Sequence, residues 1–184
     1  MLCQFSFKNF KSYKDETVFD IQSANLPEFA ENIIYCKPAS NLLPVAAIYG
    51  PNGGGKTNML QALTCLISTV VKPICDMEKT RTKLIVQQKV SCTPFLFDEK
   101  TSSEPTEFLL YFRTNGYEYR YYLSMLHDEI IAEALDRKKI GGKRTAHIFD
   151  REGKVITLGS SINKASINRD VNPKMPYLSF LAIN

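Results

Sequence analysis

The sequence predicts an α/β fold: a mixed sheet carrying a glycine-rich turn and the helix behind it, with an antiparallel β subdomain packed alongside. Three observations predict it. A short apolar run, Val45 to Tyr49, leads into "GPNGGGKT" and then a long apolar stretch without glycine or proline as far as Val71. Residues 3–10, "CQFSFKNF", alternate, with Phe5 and Phe7 sharing one face. Residues 94–160 read as successive hairpins, with Asn115-Gly116 and Glu152-Gly153 at turn positions.

Taken in order, residues 3–10 form a first strand, and Thr17 to Ile21 a second one in a meander. Residues 22–43, with Pro27 and Pro38, read as a loop with one helical turn. Val45 to Tyr49 suits a strand buried on both faces, as in a parallel sheet. Thr57 to Val71 is apolar almost all round, which predicts a buried helix stopped by Pro73. Residues 76–89 are mixed and charged and read as a second helix. "TEFLLYFRTNGYEYRYYLSML" is a strand, a turn and a strand; "EIIAEALDRKK" is ambiguous between strand and helix; "HIFDREGKVITLG" is another hairpin. The last piece, "PYLSFLAIN", is apolar. Residues 1–22 and roughly 94–160 both feed the β subdomain, so 1–184 reads as one partial domain whose two lobes do not separate at a single linker.

Composition narrows the class. With 44% hydrophobic and 23% charged residues the chain reads as an ordinary globular protein. The net charge of +4 is too small to argue for a polyanionic partner on its own. Five cysteines, an odd number without CxxC spacing, point to a reduced, cytoplasmic chain rather than a disulfide framework or zinc site. The N-terminus has no signal-peptide core. The apolar stretch Met59 to Val71, interrupted by Gln61, Thr64, Ser68 and Thr69, reads as too short and too polar for a membrane span.

Gly50 to Thr57 fits GxxxxGK[ST], the P-loop. Glycines let the backbone curl until successive N–H groups face one anion, and the helix beginning near Lys56 adds its positive dipole end. Lys56 suits the β- and γ-phosphates, and the Thr57 hydroxyl suits Mg²⁺. The nucleotide-binding set predicted here is Asn52, Gly53, Gly54, Gly55, Lys56, Thr57 and Asn58, with ATP and Mg²⁺ as cofactors. A side chain at Gly53 or Gly55 would risk obstructing the phosphates.

Fast hydrolysis needs more: an acid on the metal and usually another on the water. Two places offer carboxylates, Asp128-Glu129 in "YLSMLHDE" and Asp150 with Glu152 in "AHIFDRE", but both read as exposed acids at hairpin turns, with His127 or His147 interrupting the apolar run. No guanine-specific NKxD occurs, "NKAS" at 163 lacking the aspartate, and "LGSS" at 158 imitates the LSGGQ signature poorly. The catalytic residues therefore stay unassigned.

"FKNFKSYKDETVFDI" followed by "AAIYGPNGGGKTNML" resembles the N-terminal lobe of ABC-type ATPases that include SMC, RecF and the OLD/abortive-infection proteins. Asn9-Phe10-Lys11-Ser12 stands where that group has "NFRS" or "GFKS", and the loop departs from its GPNGSGK only at Gly54. "PFLFDEKTSSEPTEFLLYFRTNGYEYRYYLSMLHDEIIAEALDRKK" and "HIFDREG" are similar to the AAA-family ATP-binding proteins of bacterial defence systems. The resemblance covers almost the whole chain. It implies an ABC-type P-loop NTPase N-lobe, with Lys11 and Ser12 approaching the phosphates from the first strand pair. It places the Walker B, signature and D-loop segments well past this length, so the chain is expected to be an N-terminal portion of a longer protein or one piece of a split one. It implies a homodimer that sandwiches ATP, no membrane, and a switched effector such as a nuclease or toxin. Gln87 and Gln88 match a Q-loop by residue type only.

"DRKKIGGKR", residues 136–144, packs five cations beside two glycines, a mobile basic hairpin that could meet DNA or RNA phosphates or simply a solvated loop; "EKTRTK" at 78–83 is weaker. Tyr117, Tyr119, Tyr121 and Tyr122 alternate as a packed hairpin face more than as a base-stacking platform. Two other functional readings stand beside the ATPase one: a self-sufficient small NTPase or kinase using Asp128-Glu129 or Asp150, and a nucleic-acid-binding module whose P-loop grips backbone phosphate.

Overall fold

The structure, a computed structural model, describes residues 1–24, 31–78, 91–160 and 168–183. Its strands are β1 (Leu2–Lys8), β2 (Thr17–Asp20), β3 (Thr106–Thr114), β4 (Tyr117–Leu126), β5 (Glu129–Lys139), β6 (Thr145–Glu152) and β7 (Val155–Leu158). They form one sheet in the order β2-β1-β3-β4-β5-β6-β7. Every pairing is antiparallel. Among the described residues, two α-helices, α1 (Lys56–Glu78) and α2 (Tyr177–Ile183), complete the α/β fold.

Alternation builds the sheet. Phe5 and Phe7 of β1 are buried, stack on one another at 5.5 Å, and meet Phe108 of β3. The β3–β4 hairpin turns on Asn115 and Gly116, with φ of 50° and 78°, the left-handed pair a two-residue turn needs. The tyrosines of β4 pack: Tyr121 is buried, Tyr119 stacks on Phe112, and Tyr122 donates to Glu107. The ambiguous "EIIAEALDRKK" is strand β5, paired on both sides by β4 and β6. Its helix-favouring residues yield to two neighbouring ladders, since strand formation is decided mainly by what packs beside it.

The mixed character expected of the sheet rested on Val45 to Tyr49 as an inner parallel strand, and that strand is not formed. The stretch joins no strand among the described residues, and Val45 and Tyr49 are 78% and 91% exposed. A run apolar on both faces becomes a strand only when neighbours take its backbone groups and cover it.

Helix α1 lies against the sheet through Ala62, Cys65 and Leu66, which join β-sheet side chains in the core. It is not the fully buried helix expected: Leu60 and Ile67 on the opposite face are 58% and 46% exposed. Nor does it stop at Pro73, which it contains. Proline removes one helical N–H and crowds the carbonyls a turn back. Ser179 of α2 donates its hydroxyl to the Val70 carbonyl at 2.6 Å, supplying a donor to that crowded turn. The second helix expected over 76–89 is absorbed by α1 as far as Glu78, and the rest lies outside the described residues. Among the described residues one helix, Lys56–Asp76, is long and apolar enough to cross a membrane by length and composition alone, a test that core helices also pass.

α2 is docked by a buried carboxylate. Glu133 of β5 accepts from the backbone N–H groups of Tyr177 and Leu178, at 2.6 and 2.9 Å, and from the Tyr121 hydroxyl at 2.9 Å. Arg151 of β6, also buried, stands 3.8 Å away and donates to the carbonyls of Gly153 and Met175. Burial raises the Glu133 pKa above the ordinary carboxylate range and lowers that of Arg151.

Candidate functional site

The site assembles where α1 begins. Pro51 to Gly54 are exposed and Gly53 and Gly55 hold φ of 82° and 84°, so the chain curls through positions that disfavour a β-carbon and enters the helix at Lys56. Gly54 N–H closes the curl on the Pro51 carbonyl at 3.1 Å. The first N–H groups of a helix have no partner within it, and here they open toward this curl. Lys56 Nζ donates to the Gly50 and Pro51 carbonyls at 2.8 and 2.7 Å, which folds the cation over its own loop. Thr57 is exposed at the helix start.

The turn between β1 and β2 clasps this loop. Asn58 Nδ2 donates to Ser12 Oγ at 2.9 Å, Lys11 Nζ donates to Gln61 Oε1 at 2.5 Å, and the Tyr13 hydroxyl donates to the Gly55 carbonyl at 3.2 Å. Thus Lys11 and Ser12, named from resemblance, do stand beside the P-loop. A β-carbon on Gly55 would lie 3.0 Å from both the Ser12 and the Tyr13 hydroxyl oxygens. Space around Gly53 is open, so its constraint is conformational.

Asn9 makes the clasp rigid. It is fully buried at φ of 54°, and its side chain donates to the Thr101 and Glu104 carbonyls while accepting from Phe95 N–H. Lys11, at φ of 50°, is fixed by its own N–H on the Thr93 carbonyl. Sequence reasoning gave no role to Asn9, Tyr13 or Gln61. Gln61 had a readable signal: four residues after Thr57, it shares that residue's helix face. Tyr13 had none, because its contact spans 42 residues.

The candidate acids do not reach this loop. His127 and Asp128 form the β4–β5 turn at φ of 49° and 66°, and Asp128 lines a cavity with Ser68, Lys72 and Asp76. Those helical residues lie 11 to 19 positions beyond Thr57, about 16 Å or more along the axis. Asp150 sits inside β6 opposite Ala134 and Thr157, not in a turn, and β6 is four strand positions from β1, about 19 Å across the sheet. No cluster of three His, Cys, Asp or Glu suited to a metal exists among the described residues. "LGSS" also has a structural role: Gly159 N–H donates to the Ile148 carbonyl, and a β-carbon there would collide with the His147 carbonyl oxygen. Gln87, Gln88, "EKTRTK" after its first residue and all of "NKAS" lie outside the described residues.

The arrangement fits a polyphosphate tail: a curled, glycine-built loop at a helix start, one cation able to swing from carbonyls to phosphate, a hydroxyl suited to Mg²⁺, and a second cation on the clasp. Neither Asp128 nor Asp150 stands beside it to complete a metal site. A family model described as "AAA domain, putative AbiEii toxin, Type IV TA system" matches residues 45–181, from the loop's approach into α2, and leaves β1 and β2 outside. No curated protein matches the chain significantly.

Proposed function

The chain belongs to this AAA-domain family, and on that premise we propose that it binds ATP with Mg²⁺ at residues 50–58 as one part of a larger ATPase. The observation that carries the reading is the loop itself: Gly53 and Gly55 in left-handed conformations lead into Lys56 and Thr57 at the first turn of α1, clasped by Ser12 and Tyr13. Backbone amides would hold the β- and γ-phosphates. Lys56 would exchange two neutral carbonyls for anionic oxygens, a stronger class of hydrogen bond. Lys11 would bring a further positive charge to the same tail, and Thr57 would supply one ligand to Mg²⁺, which neutralises phosphate charge when bound.

Turnover needs acids on the metal and the water, and the candidate acids Asp128 and Asp150 lie away from this loop, so the isolated chain is expected to hydrolyse ATP slowly. The uncovered segment Val45 to Tyr49 and the exposed Leu60 and Ile67 support the same conclusion from packing. In this reading a further segment, in the same polypeptide or another, covers that face and brings the acids. ATP-dependent pairing of two such lobes would then switch an effector such as a nuclease or toxin in a defence or DNA-transaction system of the ABC/SMC-like or OLD type, acting in the cytoplasm.

A fluorescent ATP analogue tests the reading directly, because the chain contains no tryptophan to interfere. Binding to the native chain, lost in Lys56→Ala with the circular dichroism spectrum kept, is the expected result. Equal binding by Lys56→Ala would overturn it.

A further inference from the structure

Positive charge is concentrated at the end of the sheet remote from the phosphate loop. Arg137, Lys138, Lys139, Lys143 and Arg144 occupy the end of β5 and the turn into β6. Lys138, Lys139, Lys143 and Arg144 are exposed, and among the described residues none forms an ion pair. The acids nearest them are engaged: Asp136 with Arg120 and His147, Glu118 with Arg113. Arg137 lies over the Tyr117 ring at 5.2 Å.

The basic turn is also held in place, contrary to the mobile hairpin expected from its glycines. Ile140 N–H donates to the Gly116 carbonyl at 3.0 Å, Gly142 N–H donates to the Lys139 carbonyl at 2.8 Å, and Gly141 packs against Pro38. Beneath it opens a cleft of about 530 Å³ whose wall includes Lys138, Lys139 and Gly142 on one side and Ser40 on the other, with Arg113 between. Adjacent like charges fixed on a rigid backbone repel one another, and a polyanion relieves that repulsion.

We infer that the β5–β6 turn and the cleft beneath it form a docking surface for nucleic acid, contacted through the sugar-phosphate backbone and not through base edges. Cations spread over the end of β5 and the turn after it suit a repeating anion better than a single phosphate group. Exposed lysines on a held backbone position a nucleic-acid strand without reading its sequence. The surface is separate from the nucleotide site. β4 runs its ten residues from the basic end toward the clasp end, and at about 3.3 Å per residue the two are roughly 30 Å apart. Both can therefore be filled together.

Fluorescence anisotropy with labelled duplex DNA, single-stranded DNA and RNA tests this on the whole chain. Four phosphate contacts predict an affinity loss of about 10²-fold between about 50 mM and about 200 mM salt, with little dependence on base sequence. Combined Lys138→Ala, Lys139→Ala, Lys143→Ala and Arg144→Ala should abolish binding while the fluorescent ATP analogue still binds. Lys56→Ala should leave nucleic-acid binding unchanged. Should the fourfold variant misfold, Lys143→Glu with Arg144→Glu in the exposed turn answers the same question. No binding to any of the three nucleic acids, undiminished binding by the charge variants, loss on Lys56→Ala, or binding only to anionic phospholipid vesicles would each overturn the inference.

Discussion

At Gly55 two costs meet: φ of 84° and two hydroxyl oxygens 3.0 Å from where a β-carbon would stand. Gly55→Ala should cost about 1–2 kcal/mol from the left-handed backbone alone and, by displacing Ser12 and Tyr13, weaken nucleotide binding by at least about tenfold. Unchanged affinity in a titration would show that the clasp does not shape the loop. At Glu133 the question is charge. Glu133→Ala leaves Arg151 buried without its counter-charge and α2 without its cap, so denaturant unfolding should show a loss of about 3–5 kcal/mol. Burial, the largest influence on this carboxyl, raises its folded pKa, so the folded state binds more protons than the unfolded state across the window between the two values. This residue's contribution to stability therefore falls as pH rises from the ordinary glutamate range through the raised value. Glu133→Gln should remove that component; an unaltered pH profile would show that the group is not shifted. The loop residues were legible in sequence because the motif encodes local backbone geometry. Asn9, Tyr13 and Glu133 were not, since each acts on a partner at least 40 residues away.

Among the elements, α1 shows how a local rule yields to tertiary context. Pro73 should end a helix, yet the helix continues, with α2 placing the buried Ser179 hydroxyl on the Val70 carbonyl. Ser179→Ala should cost about 1 kcal/mol in thermal unfolding, the loss of its hydroxyl's bond to the Val70 carbonyl. An unchanged melting temperature would show that this bond does not help dock α2 on α1. Alternation and Asn-Gly chemistry made β1, β3 and β4 readable, because both are local. Strand β5 was ambiguous because its residues favour a helix while its two neighbours demand a strand. Val45 to Tyr49 misled for the opposite reason: its composition describes a buried strand, and no described segment pairs with it.

Over the whole molecule, the helix face carrying Leu60 and Ile67 is exposed. Replacing both residues with lysine should leave the chain's stability within about 0.5 kcal/mol, as for exposed positions generally, while weakening the assembly proposed above. A loss of several kcal/mol would mean that the face is already buried. The α/β class was legible because one motif fixes the order of loop and helix; the fully antiparallel sheet was not, because it depends on which partners are present. The central claim is that amides between positions 50 and 57 form a nest for a triphosphate tail. Backbone amide chemical shifts in an isotope-labelled sample, followed while Mg²⁺-ATP is added, test it most directly. The largest shifts should fall on Gly53, Gly55, Lys56 and Thr57; largest shifts at the β5–β6 turn, or none at the loop, would contradict it.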